Sequence, residues 1–120
     1  MPRPLALALA TVLLFGCGTL TETEPGEPCT TATAVATAEV RIFDRYFQPG
    51  CFQVPVGTTV SFTNLGGDLH AVAADPGQPE SFDSGVIPPG AKLEHTFSVP
   101  GTVRLHCTFT PAVRATAVIE

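Results

Sequence analysis

Cys107 is the residue with the most chemistry within reach. It ends the β-type run Thr102-Val103-Arg104-Leu105-His106-Cys107, and the short loop Thr108-Phe109-Thr110-Pro111 separates it from a second β-type run that closes at Ile119. A thiolate at a strand end is either a soft metal ligand or a nucleophile, and its neighbours decide which. The chain has three histidines, His70, His95 and His106. Strand side chains alternate between faces, so Val103, Leu105 and Cys107 face one way while Thr102, Arg104 and His106 face the other. His106 is thereby turned away from its own neighbour and reads as a surface histidine. His95 shares parity with Leu93 and Phe97, which places it in the core or at its edge with a hydrogen-bond partner. No serine-nucleophile motif, phosphate-binding glycine loop or zinc-hydrolase cluster occurs, so an enzyme is not expected.

The elements that must position these residues are short strands bounded by turn residues, and no stretch keeps a helical period. Ala38, Val40 and Ile42 alternate with Glu39 and Arg41. Phe52, Val54 and Val56 alternate with Cys51 and Gln53, and Val56-Gly57-Thr58 turns the chain into Val60 and Phe62. A short strand through His70 and Val72 is expected after the Gly66-Gly67 loop. Pro88-Pro89-Gly90 leads into Leu93, His95 and Phe97, and Pro100-Gly101 leads into the Cys107 run. Turn signals at this spacing, without helical crossovers, predict a single all-β domain, an antiparallel sandwich or barrel.

The start of the chain reads as export machinery. Arg3 precedes an apolar run from Leu5 to Phe15, too short for the roughly twenty residues that span a bilayer, and residues 1–16 fit a secretory signal. The run ends Leu14-Phe15-Gly16-Cys17, which resembles the bacterial lipobox, so Cys17 is the expected lipidation site and the mature protein is expected to be exported and membrane-anchored, facing the periplasm or the cell exterior. An ordinary cleaved signal is the alternative. Residues 17–37 are expected to be a flexible tether, since Gly18 to Pro28 is Thr, Glu, Gly and Pro with little to bury. Of six Lys and Arg residues Arg3 falls in the leader, and the remaining five face eleven Asp and Glu without any basic cluster. Nucleic acid is a poor partner for that balance. The domain itself is expected over residues 38–120.

From Val54 onward the chain resembles the blue-copper (cupredoxin) family, in its plastocyanin/amicyanin branch. The pieces are Val56-Gly57-Thr58-Thr59-Val60-Ser61-Phe62-Thr63-Asn64, His70, Phe82-Asp83-Ser84-Gly85, Pro89-Gly90, Phe97, Pro100-Gly101-Thr102 and His106-Cys107-Thr108. The resemblance implies a Greek-key β-sandwich with a copper site at one pole. It implies His70 and Cys107 as copper ligands, with Thr110 where the family has its second histidine and Val113 where it has methionine. A threonine hydroxyl is a weak copper ligand and valine offers no donor. The site the resemblance implies is therefore degenerate: a thiolate and one imidazole suit soft Cu(I), whereas Cu(II) in a trigonal site needs a second imidazole. A partner chain that completes the ligand set is the other route to a redox centre.

With Cys17 lipidated and Cys107 at the implied copper position, Cys29 and Cys51 remain, and an exported compartment permits a bridge between them. Parity sets Cys51 on the face opposite Phe52 and Val54, where a chain arriving from the tether can reach it. Two free thiols, or a bridge to Cys107, are the alternatives. Two functions follow for the whole chain. One is an envelope lipoprotein of the copper-binding and electron-transfer kind, with copper as cofactor and a redox or copper-handling protein as partner. The other is a metal-free structural or protein-binding sandwich.

Overall fold

The computed structural model describes residues 28–120. The expected signal peptide, Cys17 and most of the tether lie outside them. Among the described residues nine strands follow in chain order: β1 Val35–Ala36, β2 Glu39–Ile42, β3 Phe47–Gln48, β4 Cys51–Val54, β5 Thr59–Asn64, β6 Ala73–Ala74, β7 Lys92–Thr96, β8 Gly101–His106 and β9 Arg114–Ile119. They form two sheets, one ordered β1-β4-β9-β8-β6 and the other β3-β2-β5-β7.

Period-two alternation sorts the side chains between core and surface. Val40 and Ile42 of β2, Phe52 and Val54 of β4, and Val60 and Phe62 of β5 are all buried, as are Val103 and Leu105 of β8. Two packed apolar faces make a sandwich. Across β8 and β9, Val103 lies opposite Ala117 and Leu105 opposite Ala115. Ala117 also neighbours Phe52 on β4, so small side chains on β9 leave room for large ones on both flanking strands. Phe52 meets Phe62 and Phe97 edge to face, at ring-centroid distances of 6.3 and 6.5 Å. Such pairs contribute beyond their area burial and fix the relative position of the sheets.

The expected antiparallel arrangement holds only in part. β2 pairs β5, β4 pairs β9 and β1 pairs β4 in parallel, while β2/β3, β5/β7, β6/β8 and β8/β9 are antiparallel. The chain crosses from one sheet to the other between β3 and β4 and again between β4 and β5. A strand that returns by crossing the sandwich can lie parallel to its neighbour, whereas a hairpin cannot. The strand expected at His70 and Val72 is also shorter and displaced. His70 makes an isolated bridge with Ile87, Val72 N–H donates to Ser84 Oγ at 2.8 Å, and β6 begins only at Ala73.

Pairing starts earlier than residue 38. β1 lies within the segment 17–37 and adds an edge strand to the first sheet, Val35 opposite Phe52. Just before it, Ala34 N–H donates to Thr30 O at 2.7 Å in a tight turn. Cys29 and Cys51 are joined by a disulfide with S–S 2.05 Å. Cys51 is buried although it stands opposite the core face, because the incoming segment covers it: Thr33 Oγ1 lies 3.8 Å from Cys51 Sγ.

Candidate metal centre

Loops at one end of the sandwich bring the site residues together. Asn64 closes β5 and is fully buried, and its side chain organises the loop that follows. Its Nδ2 donates to Asp68 O and Ile87 O, both at 2.8 Å, and its Oδ1 accepts from Gly66 N–H at 2.8 Å. A buried amide with all these bonds made is a rigid anchor, since losing any one would strand a polar group away from water. The loop delivers His70, whose backbone is then held on both sides: its N–H donates to Ile87 O, and Ile87 N–H donates to His70 O at 2.7 Å.

Cys107 lies one residue beyond β8, and a compact turn closes over it. Cys107 N–H donates to Val113 O at 2.9 Å, Thr110 N–H to Cys107 O at 3.1 Å and Val113 N–H to Thr110 O at 2.8 Å. Cys107 is 0 % exposed and His70 2 %. Their reactive atoms face each other, with Cys107 Sγ 3.6 Å from His70 Nδ1.

The surroundings favour charge on this pair. Burial pushes the Cys107 thiol up, but the N–H of Ala71, the His70 ring and the N–H groups of Thr110 and Phe109 outweigh it, and its pKa falls below the ordinary thiol value. Burial likewise pushes His70 down, and its contacts with Cys107 and Asp44 carry it above the ordinary imidazole value. Each member stabilises the charged form of the other, and the thiolate is the form that binds a metal.

The remaining predicted residues are not brought into this pair. Thr110 is exposed in the turn, and Val113, buried against the core, presents an isopropyl group. His106 points away as parity requires; its Nδ1 lies 2.7 Å from Asp75 Oδ1, and Asp75 also pairs with Arg114. Burial pushes Asp75 up, and the bonds to His106 and Arg114 more than offset it, holding the carboxyl below its usual range. His95 sits at the core edge, stacked on Phe82 at a centroid distance of 4.0 Å, with Glu80 Oε2 2.7 Å from its Nε2. Among the described residues no three His, Cys, Asp or Glu side chains converge as a metal-holding group.

One residue at the site was not anticipated. Asp44, in the loop between β2 and β3, places Oδ1 2.9 Å from His70 Nε2. That bond, with others from Gly67 and Asp68 N–H, holds the Asp44 carboxyl below its usual range.

The donor set can be tested against a metal directly. Thiolate and imidazole bonds to zinc run about 2.3 and 2.0 Å, so two such ligands on one ion can stand no more than about 4.3 Å apart. The 3.6 Å separation satisfies that limit. One thiolate and one imidazole fit soft Cu(I); the trigonal thiolate and two-imidazole set that suits Cu(II) is not met by these residues.

No protein-family model and no curated protein matches the chain. Solved structures do. The fold matches a purple cupredoxin from Nitrosopumilus maritimus at 23% identity and TM-score 0.63, over 70% of this chain and 100% of that one. A reduced Cu(I) form of an amicyanin variant matches at 27% identity and TM-score 0.64, over 80% of this chain and 95% of that one. A Cu-containing nitrite reductase from Thermus scotoductus SA-01 matches at 25% identity and TM-score 0.64, over 68% of this chain but only 22% of that one. The architecture is thus an all-β sandwich of the blue-copper type. Residues 28–120 contain a cupredoxin-like domain.

Proposed function

We propose that this domain handles copper as Cu(I), held by the Cys107 thiolate and the His70 imidazole, in an exported lipoprotein anchored through Cys17. The observation that carries the reading is the pair itself, a buried Sγ and Nδ1 3.6 Å apart and facing each other. Bound Cu(I) would be an ion to hand on, and one-electron exchange would need a partner's imidazole to complete the site for Cu(II). The protein's own contribution is to make the sulfur easier to deprotonate, to exclude water from it, and to hold the imidazole at a fixed angle. Leu65 and Leu69 flank the His70 loop and Phe109 lies in the Cys107 loop, and all three are more than half exposed. They give a redox or copper-handling partner an apolar surface beside the pair.

The test is anaerobic titration of the mature protein with Cu(I) against a chromophoric Cu(I) chelator. One equivalent should be retained, and Cys107→Ala should abolish it. Cu(II) should give no intense blue charge-transfer band. Strong blue colour would mean that another imidazole completes the site, and equal retention by wild type and Cys107→Ala would remove the thiolate from it. A metal-free sandwich is the second reading, favoured by the packing of Cys107 into the hydrophobic core. It predicts no Cu(I) retention at all. The anchor is tested by intact mass and detergent partitioning. The mature protein should begin at an acylated Cys17 and follow the membrane fraction, and a Cys17→Ser variant that still does so would contradict it.

A further inference from the structure

Asp44 is far from His70 in the chain, yet it is the most heavily bonded side chain at this end of the molecule. Its Oδ1 accepts from Gly67 N–H at 3.0 Å and Asp68 N–H at 3.1 Å and lies 2.9 Å from His70 Nε2, while Oδ2 accepts from Gly67 N–H at 3.1 Å. A neutral imidazole carries one N–H and one lone pair, and the partner of one nitrogen decides which is which. An ionised carboxylate only accepts. With Asp44 at Nε2 one ring proton sits there, and Nδ1 is left facing Cys107 Sγ, where it shares the pair's remaining proton with the sulfur and offers a lone pair once that proton leaves. The opposite tautomer would set a lone pair against a carboxylate oxygen.

Gly66 makes room for this arrangement. A Cβ at that position would fall 2.9 Å from Asp44 Cγ, 3.1 Å from Asp44 N, and closer still to Oδ1. Real Cβ atoms essentially never come within 3.0 Å, so the carboxylate would have to shift from its place, and the 3.1 Å approach to Asp44 N leaves little slack behind it. The loop therefore supplies two N–H donors and a missing side chain, all directed at one carboxylate from another element.

We propose that Asp44 is the positioning residue of the pair. It fixes His70 in the Nε2–H tautomer with Nδ1 free to bind a metal, and Gly66 is bare so that Asp44 can enter. The metal half of this statement rests on the copper reading above; the tautomer half does not. Bonds to the second nitrogen of a ligating histidine typically change metal affinity by about 10–100-fold when removed.

The experiment is long-range proton–nitrogen NMR of His70 in the metal-free mature protein, beside the Cu(I) competition assay on the same variants. In wild type the Nε2 nitrogen carries a proton whatever the charge of the ring. Asp44→Ala and Gly66→Ala should both lower Nε2–H occupancy and reveal the Nδ1–H form, with Cu(I) affinity reduced about 10–100-fold. Asp44→Asn keeps an accepting oxygen and should hold the tautomer, which separates lost positioning from lost folding. An unprotonated Nε2 in wild type, or a tautomer unmoved in both Asp44→Ala and Gly66→Ala, overturns the proposal. If the tautomer moves as expected while wild type retains no Cu(I), the positioning role stands and the copper reading fails.

Discussion

At the scale of single residues, the proposed Cu(I) reading turns on positions 110 and 113. Thr110 and Val113 line a depression of about 400 Å³ together with Asp44, Arg45 and Ala112. On the copper reading proposed above, a hydroxyl and an isopropyl group there would leave Cys107 and His70 as the donors. Replacing both, Thr110→His and Val113→Met, should produce an intense blue absorption with Cu(II), because position 110 shares its depression with Asp44, which bonds His70 of a pair that already converges. A folded but colourless double variant would show that the turn does not carry position 110 to the pair. Strand parity made Cys107 and His106 legible from the sequence: one side chain goes to the core and its neighbour to the opposite face, where it meets Asp75. Asp44 was not legible. It follows a strand end with no periodic pattern, and its partners lie more than twenty positions on. The one available signal was a Gly-Gly-Asp loop whose N–H groups needed an acceptor.

At the scale of elements, the strands could be read from alternation, but their partners could not. Val40 and Ile42, Phe52 and Val54, and Val60 and Phe62 show which face is buried; nothing in that pattern says that β2 lies parallel to β5 or β4 to β9. Pairing is set by where connections cross the sandwich, which depends on contacts between residues distant in the chain. The edge strand β1 was missed for a related reason. Two residues, both exposed, carry no alternation, and what holds them beside β4 is the neighbouring disulfide and ladder. Closing a loop across a sequence separation of 22 stabilises a domain by about 3 kcal/mol in the loop-entropy model. Reduction should therefore lower the free energy of unfolding in urea by about that amount. Peptide mapping after alkylation of the unreduced, denatured protein should join Cys29 to Cys51 and label Cys107. Labelling of Cys29 and Cys51 without reductant would rule the bridge out. In the native protein Cys107 should label slowly, since it has no exposed surface.

At the scale of the whole molecule, the chain contains an acidic cupredoxin-like domain, for which we propose a lipid anchor at Cys17. The disulfide attaches the incoming segment to the outer face of the first sheet, close to Thr116, whose carbonyl lies 3.6 Å from Cys29 Sγ, and β1 extends that sheet at its edge. The loops that carry Cys107 and His70 lie at one end of the sandwich, with Leu65, Leu69 and Phe109 exposed around them, which leaves that end free for the proposed partner while Cys29 and Val35–Ala36 are held on the first sheet. What such a molecule does turns on whether the buried thiolate and imidazole hold the same copper ion. X-ray absorption at the copper edge of the Cu(I)-loaded mature protein reads that directly. One sulfur and one nitrogen neighbour are expected at bonding distance, with the sulfur shell absent from Cys107→Ser. A wild-type spectrum showing only nitrogen and oxygen neighbours, or a sulfur shell that survives Cys107→Ser, would contradict that expectation.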